Sequence, residues 1–188
     1  MAPQPSILID TNIIIEATRI GAFSRLRARG QLVTVTRCCE EALSGKPGER
    51  GRIIVAPDEL CDPLSVVEVS QAGRVHLALR YLDASILDAG ERDLLVHAFT
   101  LTQGTDGAAS MGAAFKKAGL PVKDRGGAFT IVSADQAAVR VAMLMGLGDQ
   151  LVSLDEAFEN AGIRATGLKR HYTRAALAEW KVRHRLGT

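Results

Sequence analysis

The stretch Ile7-Leu8-Ile9-Asp10-Thr11-Asn12-Ile13-Ile14-Ile15-Glu16-Ala17 decides how the rest of this 188-residue chain is read. A short aliphatic run stops at an acid, and the apolar positions that follow, Ile13, Ile14, Ala17, Ile20 and Phe23, return at the spacing of one helical face. Strand, turn and helix follow one another, with Asp10 at the turn. Gly30 is the expected stop of that helix. Leu32, Val33 and Val35 then open a second strand, followed by a helix with Cys38, Cys39, Ala42 and Leu43 on its inner face. Further on, Phe129 to Ser133 reads as a strand that runs into Asp135 and a helix striped by Ala138, Val141, Ala142 and Met145. Leu151 to Leu154 gives a last short strand before Asp155 and a helix containing Ala157, Phe158 and Ala161. Each such unit needs a crossover before the next strand, and repeated crossovers predict an α/β domain: a doubly wound, mostly parallel sheet with helices on both faces.

The middle of the chain is less regular. Gly45 to Gly51 reads as a loop, and Ile53 to Val55 and Val66 to Val69 as short strands or extended pieces. Ala72 to Leu82 predicts a helix whose inner face carries Val75, Leu79 and Leu82, and Gly90 separates it from a second helix containing Leu94, Leu95, Ala98 and Phe99. Gln103 to Gly127 is a glycine-rich insert with Lys116, Lys117, Lys123 and Arg125, and with room for a helix from Asp106 to Lys117. No nucleotide-binding fingerprint or phosphate-cradling glycine loop is present.

Composition narrows the class. Apolar residues make up 47% and aromatics only 4%, so aliphatic side chains fill the core, which suits helix-on-sheet layers better than an aromatic-rich barrel. Cys38, Cys39 and Cys61 are odd in number and give neither a disulfide framework nor a zinc spacing, which points to a reducing, cytoplasmic setting. Met1 to Ser6 carries no signal-peptide pattern, and no run approaches the roughly 18 apolar residues of a membrane span, so no membrane partner is expected. The net charge of +2 is unevenly placed: from Arg164 onward seven Lys or Arg face the single acid Glu179, leaving 16 basic and 20 acidic residues before it. The chain therefore divides into a body, residues 1–163, and a basic extension, 164–188. The extension is expected to form a helix docked by Ala176, Leu177 and Trp180, with Arg174, Lys181 and Arg185 left in water.

Acids at strand ends are the constellation with chemical content. In an open parallel sheet, side chains just beyond the carboxyl ends of the strands converge on a crevice, and Asp10 and Asp135 hold two such positions. Glu41, early on the helix after the second strand, and Glu91, opening the helix after Gly90, can reach the same edge. Four carboxylates in one cleft repel one another, which raises a pKa or calls for a cation, and hard oxygen donors suit Mg2+ or Mn2+. The matching chemistry is phosphodiester hydrolysis by metal-activated water. Each acid also has an ordinary role open to it: Asp10 and Asp135 as helix caps, Glu41 and Glu91 as exposed helix charges. The four histidines, His76, His97, His171 and His184, are too scattered to make an acid–base pair.

Taken in order, Ile9-Asp10-Thr11-Asn12, Glu41, Gly90-Glu91 with Ala98 further along the helix, and Val132-Ser133-Ala134-Asp135 resemble the pattern of PIN-domain ribonucleases. The resemblance spans Ile7 to about Leu154. It implies a nuclease that binds Mg2+ or Mn2+ at Asp10, Glu41, Glu91 and Asp135 and cleaves RNA. Asn12 matches a polar residue that supports the first acid, and Ser133 the small hydroxyl residue that orients the last loop. Asp93 stands as the alternative to Glu91, and Glu40 to Glu41. Lys116, Lys123, Arg125 and Arg174 are candidates to hold the RNA backbone. Relatives of this kind include toxins held by an antitoxin as well as stand-alone RNA-processing proteins, so an antitoxin protein and a homodimer are the protein partners it allows. Two other functions stay open: an RNA-binding or regulatory module that kept the fold without activity, and a different metal-dependent phosphohydrolase.

Overall fold

The computed structural model describes residues 5–44, 53, 55–103 and 129–185. Five parallel strands form one sheet: β1 (Ser6–Ile9), β2 (Gln31–Val35), β3 (Ser65–Val67), β4 (Phe129–Val132) and β5 (Leu151–Val152), side by side in the order β3-β2-β1-β4-β5. Helices α1 (Thr11–Arg19) and α2 (Phe23–Arg29) join β1 to β2, and α3 (Thr36–Ser44) follows β2. After β3 come α4 (Gln71–Arg80), a 3-10 turn at Leu82–Ile86 and α5 (Ala89–Gln103). Then α6 (Gln136–Leu144) follows β4, α7 (Leu154–Asn160) follows β5, and α8 (Arg174–Arg185) is the last helix. The sheet is covered on both faces, so the doubly wound α/β reading holds.

Register places the two cores. Leu8 lies between Val33 and Ile131, and Ile9 lies beside Val132. Successive strand residues point to opposite faces. Leu8, Val35 and Ile131 accordingly join Leu77, Leu94, Val139 and Trp180 on one side, while Ile9, Leu32 and Val132 join Ile13, Phe23, Leu26 and Phe158 on the other. The chain moves outward from β1 through β2 to β3, then returns to the far side of β1 as β4. That reversal sets the carboxyl ends of β1 and β4 next to each other at a topological switch point, the usual ligand crevice of such sheets.

Several expectations are corrected. The first helix does not run to Gly30: it ends at Arg19, and Gly21 takes a left-handed φ of 65° that turns the chain into α2. Among Ile53 to Val55, Ile53 and Val55 lie outside any strand and Val55 is buried in the core; Ile54 lies outside the described residues. On α3, Cys38 and Ala42 are buried but Leu43 faces solvent.

The inner face of α4 is not the one the apolar spacing suggests. Val75, Leu79 and Leu82 are exposed, Leu79 and Leu82 by about 80% and 81%, while Gly73 and Leu77 face inward. Two contacts choose that face. A Cβ on Gly73 would sit 2.7 Å from the Val96 Cγ1 atom, so α4 approaches α5 through its glycine. Beside it, the Arg74 Nε and Nη2 atoms each donate to Asp93 at 2.6 Å, and Asp93 is buried. A two-pronged, charge-assisted pair of this kind fixes orientation as well as distance.

The basic extension docks on both faces at the β5 end of the sheet. Tyr172 enters the core that holds Ile9, and its hydroxyl donates to the Asn12 carbonyl at 3.3 Å, while Ala176, Leu177 and Trp180 enter the other core. Lys181 is not left in water as expected: its Nζ donates to the Leu151 carbonyl at 2.8 Å, covering an unpaired group of the edge strand. The Gly45 to Gly51 loop and the glycine-rich insert with its possible helix lie outside the described residues. Among the described residues, no helix is long and apolar enough to cross a membrane.

Candidate functional site

Asp10 is set by two local facts: β1 ends just before it, and its backbone is still extended when α1 begins. Its Oδ1 atom accepts from the Ile13 amide at 2.9 Å, capping α1. Its Oδ2 atom is buried with no hydrogen-bond partner. A buried carboxylate oxygen left unpaired costs free energy that a folded chain normally avoids. Burial pushes Asp10 up from the usual 3.8 to about 6, the Asp135 charge adds to the rise, and donors from Ser133, Ile13 and Asn12 oppose it.

Asp135 does for α6 what Asp10 does for α1. Its Oδ1 atom accepts from the Ala137 and Ala138 amides at 2.7 and 2.9 Å. Ser133, just past β4, accepts from the Asp135 amide at 3.3 Å through its hydroxyl oxygen, and its hydroxyl opposes the rise of the Asp10 pKa. Ser133 thus touches both strand-end acids.

Glu91 enters from α5 and is buried. Burial first, and then the charges of Asp10, Asp135 and Asp88, together raise its pKa from 4.5 to about 8. Asp10, Glu91 and Ser133 share one crevice whose other walls include Leu94, Leu95 and Ile131. These apolar walls explain the size of both shifts, because an ion close to aliphatic side chains loses hydration without gaining a partner.

Glu41 is placed differently. Its Oε2 atom accepts from the Thr11 hydroxyl at 2.7 Å and its Oε1 atom from the Gly90 amide at 3.2 Å, with the Arg37 Nε atom 3.9 Å away. It stands at the flank of the acidic group with partners for both oxygens. Asn12 contributes through its backbone: its amide helps to hold the Asp10 carboxylate, and its carbonyl receives Tyr172. The alternatives are accounted for as well. Asp93 is bound to Arg74, and Glu40 pairs with Arg37 at 3.0 Å on the surface.

The structure thus draws Asp10, Glu91, Asp135 and Ser133 together, and leaves Glu41 to one side. Arg174, a candidate to hold RNA, is engaged elsewhere: it pairs with Glu159 at 2.7 Å and Glu156 at 3.3 Å. Lys116, Lys123 and Arg125 lie outside the described residues. Two residues near the site went unweighed in the sequence. Thr11 carries no signal beyond its place next to Asp10. Cys38, whose thiol burial pushes up to about 12, packs between Thr11 and the Asp10 and Glu41 charges as an inert filler.

Whether these residues suit a divalent cation can be asked of the donors themselves. Among the described residues, no three His, Cys, Asp or Glu side chains are gathered tightly enough to hold a metal ion as they stand. The donor chemistry fits all the same: hard carboxylate oxygens, an Asp10 oxygen without a partner, and mutual repulsion that positive charge would relieve. No protein-family model, curated protein or solved structure matches the chain.

Proposed function

We propose that the chain is a metal-dependent ribonuclease of the PIN type, using Mg2+ or Mn2+ to hydrolyse RNA phosphodiester bonds. The observation that carries this reading is the buried, unpartnered Asp10 Oδ2 atom at the sheet's switch point, beside an Asp135 charge that raises the Asp10 pKa and a Glu91 whose pKa is raised in turn by Asp10 and Asp135. Carboxylates perturbed by burial and like charge in a cleft are candidates for a functional site. RNA as substrate rests on the resemblance of the Asp10, Glu41, Gly90-Glu91 and Ser133-Asp135 segments.

Asp10, Glu91 and Asp135 would hold the cation. When bound, it lowers the pKa of a water and offsets charge on the phosphoryl oxygens. The protein's own part is positional and electrostatic. The Ile13 amide aims the Asp10 carboxylate, and the Ala137 and Ala138 amides take one Asp135 oxygen. Leu94, Leu95 and Ile131 keep bulk water from the inner side. Burial and the neighbouring acids favour the protonated form of Glu91, and holding a cation would require its ionised form.

The test is incubation of the purified protein with mixed-sequence RNA oligonucleotides and Mg2+ or Mn2+, with chelator and Asp10→Asn as controls. The proposal expects cleavage lost in both controls. Salt-sensitive RNA binding without cleavage would make the chain a binding module, and turnover of small phosphate esters alone would make it another phosphohydrolase.

A further inference from the structure

Glu41 reaches from α3 to the two residues that flank the crowded acids. Thr11 follows Asp10 directly and donates to Glu41 Oε2 at 2.7 Å. Gly90 immediately precedes Glu91 and donates its amide to Glu41 Oε1 at 3.2 Å. One carboxylate therefore ties the start of α1 to the start of α5, and those helix starts carry the acids that repel each other. The approach is close: a Cβ at position 90 would lie 2.7 Å from Glu41 Oε2 and 2.9 Å from the Cys38 Sγ atom, so the Glu41 carboxylate would have to shift. Thr11 is buried, and its branched Cβ restricts the hydroxyl to few directions. The Arg37 Nε atom lies 3.9 Å from Oε1 and occupies neither bond.

We infer that Glu41 is a positioning residue: through Thr11 and Gly90 it clamps Asp10 against Glu91, and so sets the cation affinity of the site. The inference rests on the cation reading above and adds to it an assignment of Glu41 that differs from direct ligation. A ligand and a clamp respond differently to substitution. A direct ligand needs its charge and has no need of Thr11. A clamp needs both of its hydrogen bonds, and a glutamine can supply them, its carbonyl accepting from Gly90 and its amide donating to the Thr11 oxygen.

The experiment measures Mn2+ affinity by calorimetry for the full chain and for Thr11→Val, Thr11→Ser, Glu41→Ala, Glu41→Gln and the double variant Thr11→Val/Glu41→Ala. Exchange of the Gly90 amide is followed without metal in the same proteins. Thr11→Val and Glu41→Ala are each expected to weaken Mn2+ about tenfold, the usual loss for a group that orients a ligand. The double variant should lose no more than either, and Thr11→Ser and Glu41→Gln should recover most of the affinity. Gly90 exchange should accelerate in Thr11→Val and Glu41→Ala alike. Affinity within twofold of the parent in Thr11→Val, losses that multiply in the double variant, or a Glu41→Gln loss as large as that of Glu41→Ala overturns the clamp. If the parent protein binds no Mn2+, the cation reading fails by itself. The clamp is then judged by exchange: faster Gly90 exchange in Thr11→Val supports it, and unchanged exchange overturns it.

Discussion

Replacing Asp10 with Asn should make the metal-free protein more stable near pH 8. The Asp10 carboxyl is 1% exposed and its pKa stands at about 6 in the folded chain against 3.8 as a free side chain. The folded state thus holds this proton more tightly than the unfolded state. In that case stability falls as pH rises between about 3.8 and 6, and the whole penalty is present above that window. A shift of that size corresponds to about 3 kcal/mol. Asparagine carries no charge at any of these pH values, and its carbonyl can still accept from the Ile13 amide as Oδ1 does at 2.9 Å. Its amide nitrogen falls where Oδ2 has no partner, which returns about 1 kcal/mol of cost. The net expectation is a gain of about 1–3 kcal/mol, or about 2–4 °C in Tm for each kcal/mol in a chain of this size. Loss of the Asp10 charge also removes one of the repulsions on Glu91, which works in the same direction.

Calorimetric or denaturant unfolding of both proteins from pH 4 to 8, in chelator and again in excess Mn2+, reads this directly. In chelator the Asn variant should lead at pH 8 and lose its lead by pH 4, where Asp10 is neutral as well. In Mn2+ the parent should gain and the variant should not. A variant less stable than the parent at pH 8 in chelator, or a difference that does not change with pH, would mean that the Asp10 charge is already compensated, and the case for a cation would lose its main support.

The remaining expectations concern packing around the site. Arg74→Ala leaves the buried Asp93 charge unpaired and should cost about 3–5 kcal/mol by urea unfolding, whereas replacing both partners with apolar residues should recover most of the loss. Gly90→Ala forces Glu41 and Cys38 apart and should cost about 1–3 kcal/mol by the same measurement. Trp180→Ala opens the core beneath α8 and should cost about 3–5 kcal/mol, with faster amide exchange in both α8 and α6. Mn2+ affinity measured by calorimetry should fall as pH drops below about 8, because the Glu91 proton competes with the cation, and binding near pH 7 should release protons to the buffer.

What the sequence made legible, and what it hid, follows from the range over which each feature is decided. The strand ends at Asp10 and Asp135 depend on a few neighbouring residues, an aliphatic run followed by a capping acid, and both could be placed without knowing the rest of the fold. The face of α4 could not. Val75, Leu79 and Leu82 have the right spacing for an inner face, but that face is chosen by Gly73 against Val96 and by Arg74 against Asp93, partners that sequence order does not bring together. Glu41 was legible as an acid near the sheet edge, yet its tie to Gly90 spans 49 positions and depends on the missing Cβ of a glycine that the sequence presents only as a break.

Glu91 and Asp93 show the distinction most sharply, because both are acids in the first turns of one helix and the sequence leaves Asp93 standing as the alternative to Glu91. Both are buried, at 7% and 3% exposure. Asp93 meets a guanidinium through two short bonds, and its charge is answered within the protein. Glu91 meets the charges of Asp10, Asp135 and Asp88, all of its own sign. Burial alone therefore does not separate a structural acid from a functional one; the sign of what surrounds it does. An acid that the fold buries among like charges must keep its proton or receive positive charge from outside the chain, and at this sheet edge Asp10 and Glu91 share that requirement.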